Sequence, residues 1–430
     1  MPEWANWAGN QRMTPARVVR PRDVDELAAA VKQAAADGLR VKAIGAGHSF
    51  TTIGVTDGVL LDLSAYTGLV HADPVTGLVT AQAGMRLHRL NALLAEVGLG
   101  LTNMGDIDVQ TVAGALSTGT HGTGRDSAGF AAQVAALELV LADGSVVTCS
   151  RSERPELFDA ARVGLGALGI LSTVTFQAEP AFLLAADERP MPLDAVLDGF
   201  VDLVADNEHF EFFWFPHTQV ALTKRNNRTT QARPLSRVRG YVDDELLSNG
   251  VFGVTCRLGR RMPALVPTLN RVASRALSAR TYADAAPAVF TSPRRVRFYE
   301  MEYAVPREVL PSLFAELRGL PERLGLTVSF PVEVRVAPAD DVPLSTASGR
   351  DTAYVAVHAF QGTPYDVYFR EVEKLYDAVG GRPHWGKLHT LDAERLSQRY
   401  PRFGEFVAVR DAVDPERRFA NEYLERVLGS

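Results

Sequence analysis

The sequence predicts an α+β fold in two closely packed domains. Three observations predict it. A chain of 430 residues exceeds one ordinary domain, and its 46% hydrophobic content is enough to bury a large core. Short strand patterns mix with helical ones over roughly the first 180 residues. A second set of patterns begins near Glu179-Pro180 with no low-complexity linker before it. Two regions joined that tightly are expected to share a site at their junction.

The elements follow in order. Residues 23–36 (DVDELAAAVKQAAA) space their apolar side chains for a helix, and Asp23 or Asp25 caps it by accepting an orphan backbone N–H. Residues 39–44 read as a strand that runs into Gly45-Ala46-Gly47. Further strands are expected at 59–63, 69–72 and 78–81, and an amphipathic helix at 88–97. A strand at 135–141 enters the hairpin-type turn Ala142-Asp143-Gly144 and leaves as Val146-Val147-Thr148. In the second region, 193–206 reads as one long helix, and 328–336 and 352–360 as strands. The polar stretch 223–240, rich in Arg and Asn, reads as a mobile loop. The chain ends in a short helical pattern after Asp414-Pro415, and no internal repeat is visible.

Composition excludes several classes. The formal net charge of -6 gives no general basic character for nucleic acid. Cys149 and Cys256 lie in unrelated contexts, so neither a disulfide framework nor a Cys-rich metal site is expected, and no metal is assigned. The first residues lack a basic and then apolar leader. No run of about 18 apolar residues predicts a membrane span. The expected location is the cytoplasm.

Five stretches of sequence bear on chemistry. Gly45-Ala46-Gly47-His48-Ser49-Phe50 follows a strand, and its glycines let backbone N–H groups approach phosphate oxygens. A nicotinamide Rossmann site is a poor reading, because Phe50 stands where a third glycine belongs. His48 taken alone reads as a polar loop residue. The stretch 114–124 (GALSTGTHGTG) is dense in Gly, Ser and Thr beside His121, which suits close approach of main chain to a pyrophosphate. The segment 164–171 (GLGALGIL) suits close packing against a cofactor or a neighbouring backbone. Glu333 and Arg335 are two apart in an alternating strand and share a face, either as a surface charge pair or as a site that polarises a hydroxyl. In the surrounding run, Val332, Val334 and Val336 predict burial of the opposite face only. Lys387, after His384-Trp385-Gly386, is either an ordinary surface lysine or a cation beside a cofactor.

Four of these, at 45–51, 119–124, 333–335 and 383–387, occur in an order that resembles the aldonolactone oxidoreductases of the vanillyl-alcohol oxidase flavoprotein superfamily. That family includes gulonolactone, galactonolactone and arabinonolactone oxidases or dehydrogenases, and alditol oxidases. The resemblance runs from Trp7 to Val427 and is nearest to the actinobacterial gulonolactone dehydrogenases. It implies an FAD-binding domain at 1–178, a cap domain at 179–382 that covers the flavin ring, and a segment 383–430 that returns to the first domain.

The resemblance also implies roles. FAD is expected to be bonded covalently through its 8α-methyl carbon to His48. Gly45, Ala46, Gly47, Ser49 and Phe50 are expected beside it. Gly105, Ser117, Gly119, Thr120, His121 and Gly122 are expected cofactor contacts, as are Thr123, Gly124, Gly169, Ile170 and His384. Glu333, Arg335 and Lys387 are the expected catalytic residues, with Asp106 and His358 at the substrate. Alditol oxidases carry serine at the position of Asp106, so a carboxylate there disfavours an acyclic alditol and favours a lactone or another ligand. Gly105 matches a position that gates oxygen. The implied reaction takes hydride from a carbinol carbon of a small polyhydroxylated substrate to flavin N5, with oxygen or another acceptor restoring the flavin. Alditol oxidation, a tailoring oxidation of a sugar-like compound, and flavin binding without turnover stay open.

Overall fold

The computed structural model describes residues 3–430. Near the N-terminus, Asp23 caps the helix Val24–Ala36 by accepting from the Glu26 N–H, and Leu27, Ala28, Val31 and Ala34 are buried. A small parallel sheet follows, in the order Arg17–Val19, Val59–Asp62, Val41–Ile44. A five-stranded antiparallel sheet then runs Val146–Ser150, Val134–Val140, Ile170–Gln177, Leu78–Gln82, Leu69–Ala72. The turn at 142–144 joins its first two strands, and Gly144 takes φ +76° there.

The second half is built on an eight-stranded sheet. Its central strands are His209–Trp214, Val332–Ala337, Thr352–Phe360 and Phe298–Pro306. One face is apolar and packs on the helices Leu310–Arg323 and Asp366–Ala378. There Phe212 and Trp214 meet Phe314, and Tyr303 stacks on Tyr376. The other face is polar, yet it too is covered.

Three expectations are corrected. The 193–206 pattern forms two helices, Leu193–Asp198 and Phe200–Ala205, because Gly199 leaves helical geometry (φ -91°, ψ 9°) between them. Most of 223–240 is not a loop. Val220–Thr229 is a strand paired on both sides, and Asn226 is buried within it. Several of its polar residues have partners there, including Lys224 to Glu211 at 3.0 Å. The strand expected from 328 starts at Val332, after Pro331, which has no N–H to give a ladder.

The chain's end is tied to its beginning. The Val41 N–H donates to the Arg418 carbonyl, and Asn421 donates to the carbonyls of Thr52, Ile53 and Val55. Across the middle, the Gly124 N–H donates to the Val336 carbonyl, and Thr123 Oγ1 accepts from the Val336 N–H at 3.1 Å. Most buried apolar residues of both halves belong to one continuous core.

Candidate active site

Sheet parity builds the site. In antiparallel strands, directly opposed residues point to the same face. Glu333 opposes Phe213 and Ala356, and Arg335 opposes Tyr354. On the next strand, Glu302 opposes Ala356 and Glu300 opposes His358. Glu211, Glu333, Arg335, Glu300, Glu302 and His358 therefore share one face, and all six are buried. This overturns the surface-pair reading of Glu333 and Arg335. The valines do bury the apolar face, but all six residues of Val332–Ala337 are buried because the first half of the chain covers the polar face.

A cleft of about 1050 Å³ opens over that face. Arg335 sits among three carboxylates: it ion-pairs with Glu333, lies 3.2 Å from Glu211 and 3.4 Å from Asp106. Asp106 is also held by Arg294 at 2.7 Å. Burial would raise the Asp106 pKa, but Arg335 and Arg294 outweigh it and hold it well below the usual carboxylate range. Burial pushes Glu333 the other way, up to about 8, against the pull of Arg335 and with help from the charges of Asp106 and Glu211. Lys387 reaches the same cleft and pairs with Glu300. Burial opposes its charge, yet Glu300 and Glu302 keep its pKa above the ordinary lysine value.

His358 donates through Nδ1 to the Pro331 carbonyl at 3.0 Å, leaving Nε2 3.7 Å from Glu300. His384 accepts at Nδ1 from the Gly386 N–H, and burial lowers its pKa to about 3. His121 stacks on Tyr354 and faces Glu302 at 3.4 Å. Burial works to raise Glu302, but the His121 charge and hydrogen bond prevail and lower it.

His48 lines the same cleft, stacked on Trp7 at 5.3 Å. Its ring has no hydrogen-bond partner among the described residues. Burial, then the charges of Lys387 and Arg86, lower its pKa to about 4, so the imidazole is neutral at pH 7.

A second cleft, of about 990 Å³, meets the first at His48, Ser49, Gln110 and Thr118. Gly45, Ala46, Gly47, Ser117, Gly169 and Ile170 line it. Phe50, Gly105, Asp106, Thr120, His121 and His384 line the first. Gly119, Gly122, Thr123 and Gly124 line neither. Gly122 is forced by packing, since a Cβ would fall 2.0 Å from the Met104 carbonyl oxygen, and Thr123 and Gly124 join the two halves.

The two clefts fit a flavin dinucleotide. A Cβ on Gly45 would fall 2.1 Å from Thr111 Oγ1, so this loop must stay bare and its backbone lies open to the cleft. Gln110 Oε1, where the clefts meet, is a buried acceptor with no partner, which a flavin ring N–H would supply.

Sequence reasoning missed Trp7, Gln110, Glu211, Arg294, Glu300 and Glu302. Glu300 and Glu302 had a signal: two acids spaced by two in an apolar strand, the same pattern as Glu333 and Arg335. Arg294 comes from an irregular segment after Pro293 and had none.

Comparison with known proteins identifies the family. Residues 174–427 match the family described as D-arabinono-1,4-lactone oxidase, and residues 15–150 match the FAD binding domain. The chain is 44% identical over 429 residues to L-gulono-1,4-lactone dehydrogenase of Mycobacterium tuberculosis, covering 100% of this chain and 99% of that one. It is 32% identical to L-gulonolactone oxidase of Bos taurus (99% and 98% covered) and 33% identical to alditol oxidase of a Streptomyces species (98% and 98%). A solved structure of a solvent-stable cholesterol oxidase superposes with a TM-score of 0.80 at 20% identity, covering 100% of this chain and 97% of that one, which shows the fold. The α+β fold is thus that of the vanillyl-alcohol oxidase type, and no helix among the described residues is long and apolar enough to cross a membrane. The chain belongs to the D-arabinono-1,4-lactone oxidase family of FAD-dependent oxidoreductases that act on CH–OH groups.

Proposed function

We propose that the chain oxidises a carbinol carbon of a sugar-derived lactone, of the L-gulono-1,4-lactone or D-arabinono-1,4-lactone type, with FAD tethered to His48. The observation that carries the reading is one cleft that brings together the titratable Glu333, the buried cations Arg335 and Lys387, and a neutral, unpartnered His48. The names of the relatives support the substrate class.

FAD, when bound, supplies the acceptor for the carbinol hydrogen and its electron pair. His48 offers a free ring nitrogen for the bond to the flavin 8α-methyl carbon. Arg335 and Lys387 hold the substrate hydroxyl oxygen as it loses its proton. Preorganised cations in a water-poor cleft stabilise that developing charge more than solvent would. Glu333 takes the proton, and its raised pKa makes the ionised form a stronger base than an exposed carboxylate. His358 and the Arg294-bound Asp106 orient the remaining hydroxyls. The carboxylate of Asp106, with Arg294 and Arg335 against it, narrows the room for an open-chain polyol and supports a lactone.

The test is anaerobic titration of the yellow holoenzyme. L-Gulono-1,4-lactone or D-arabinono-1,4-lactone is expected to bleach the flavin absorbance, and xylitol and sorbitol are expected to leave it. Bleaching by the alditols alone would reject the lactone reading.

A further inference from the structure

The segment 250–280 holds Arg257, Arg260, Arg261, Arg271, Arg275 and Arg280 and not one Asp or Glu, in a chain whose formal net charge is -6. The first five of these arginines are exposed and have no carboxylate partner among the described residues. Arg260 rests over the Phe360 ring, and Arg271 donates to the Pro267 carbonyl.

The helix Phe252–Arg261 in this segment is inverted. A surface helix ordinarily puts polar residues opposite its buried face. Here Gly253, Cys256 and Gly259 are buried, and the outward stripe is Val251, Val254, Leu258 and Met262, which are 49%, 56%, 38% and 52% exposed. Their spacing of three, four and four keeps them on one side. Nearby, Leu246, Leu247 and Val272 are exposed as well. At the start of the helix, Phe252 lines the active-site cleft and meets Phe330 at 4.8 Å.

We propose that this face docks on an anionic lipid surface, with the aliphatic stripe entering the headgroup region and the unpaired arginines on the lipid phosphates. Aliphatic side chains flanked by arginine are the composition that lies in a membrane interface. A second copy of the chain fits poorly, because a two-fold contact through this face would set arginine against arginine. Docking would hold the cleft rim close to the membrane. The inference rests on the surface alone and is independent of the substrate.

The test is vesicle flotation of the full-length holoenzyme. Vesicles of phosphatidylcholine with one third phosphatidylglycerol should carry at least about tenfold more protein at low salt than pure phosphatidylcholine does, and high salt should release it. The double variants Val254→Asp/Leu258→Asp and Arg257→Glu/Arg261→Glu should each lose flotation. Both lie outside the catalytic machinery and should keep the parent's melting temperature and rate of flavin bleaching. Equal binding to neutral vesicles, or flotation that survives both double variants, overturns the proposal. So does self-association without lipid that either variant abolishes, or capture by an acidic protein with no binding to vesicles.

Discussion

At the scale of single residues, the proposed role of Glu333 as base makes its charge the condition for turnover. Its carboxyl is held up to about 8, so below that pH it carries its proton and cannot accept another. The rate constant of flavin reduction should therefore rise with pH through about 8 and level off above. Glu333→Gln should remove that rise, and stopped-flow reduction across pH measures both. Arg335→Ala or Lys387→Ala should slow reduction by two to three decades, about 2.7–4 kcal/mol in barrier. Wild-type rates in these two variants would remove the cations from the catalytic set. Gly105 presents a different constraint. A methyl group there would meet Thr120 Cγ2 at 3.2 Å and the His121 carbonyl oxygen at 3.3 Å, at the cleft wall. If Gly105 leaves a path for oxygen, as the family resemblance implies, Gly105→Ala should slow reoxidation by oxygen about tenfold, or about 1.4 kcal/mol, with reduction unchanged. Unaltered reoxidation would place the barrier to oxygen elsewhere.

At the scale of elements, the strand Val41–Ile44 carries a buried lysine where the chain's two ends meet. Lys42 Nζ donates to the carbonyls of Gly166 and Phe419 at 3.0 and 3.1 Å. Burial lowers its pKa to about 7, and Asp414 only partly offsets this. A neutral amine has two N–H groups, one for each carbonyl. In the unfolded chain the group would titrate near its ordinary 10.5, so between about 7 and 10.5 the unfolded state holds the extra proton. Stability linked to Lys42 should then rise with pH across that window. Thermal melts of the parent against Lys42→Met should show the rise shrinking in the variant. A parallel pH dependence in the two would assign it to other groups. Local pattern served some elements better than others. Val24–Ala36 was readable because its period and its cap agree. The two-faced burial of Val332–Ala337 was not, because one face is covered by a distant part of the chain.

At the scale of the whole molecule, the two clefts draw walls from residues near 45, 110, 170, 300, 335 and 387, so cofactor and fold should stabilise each other. His48→Ala should leave FAD dissociable, with its fluorescence in the acid supernatant rather than the pellet. The melting temperature of that variant should climb with added FAD, by about 2.7 kcal/mol of stability at a hundredfold excess over Kd. Wild-type flavin that acid already releases would disprove the covalent bond. A melting temperature indifferent to FAD would disprove the clefts as its site.

Sequence alone determined the fold class and marked the glycine-rich loops, because bare-backbone turns are local properties written in residue spacing; His48, Glu333, Arg335 and Lys387 were singled out together only by the family resemblance, since spacing left Glu333 and Arg335 open as a surface pair and Lys387 as a surface lysine. Tertiary structure decided the rest. It selected a buried site over a surface pair for Glu333 and Arg335, turned the polar stretch at 223–229 into a strand, and brought Arg294 to Asp106. It also set Glu300 beside Lys387 and moved Thr123 and Gly124 from the clefts to the joint between the halves. Each of these depends on what a distant segment lays over a face, and a charged side chain's partner, burial and protonation are properties of that covering.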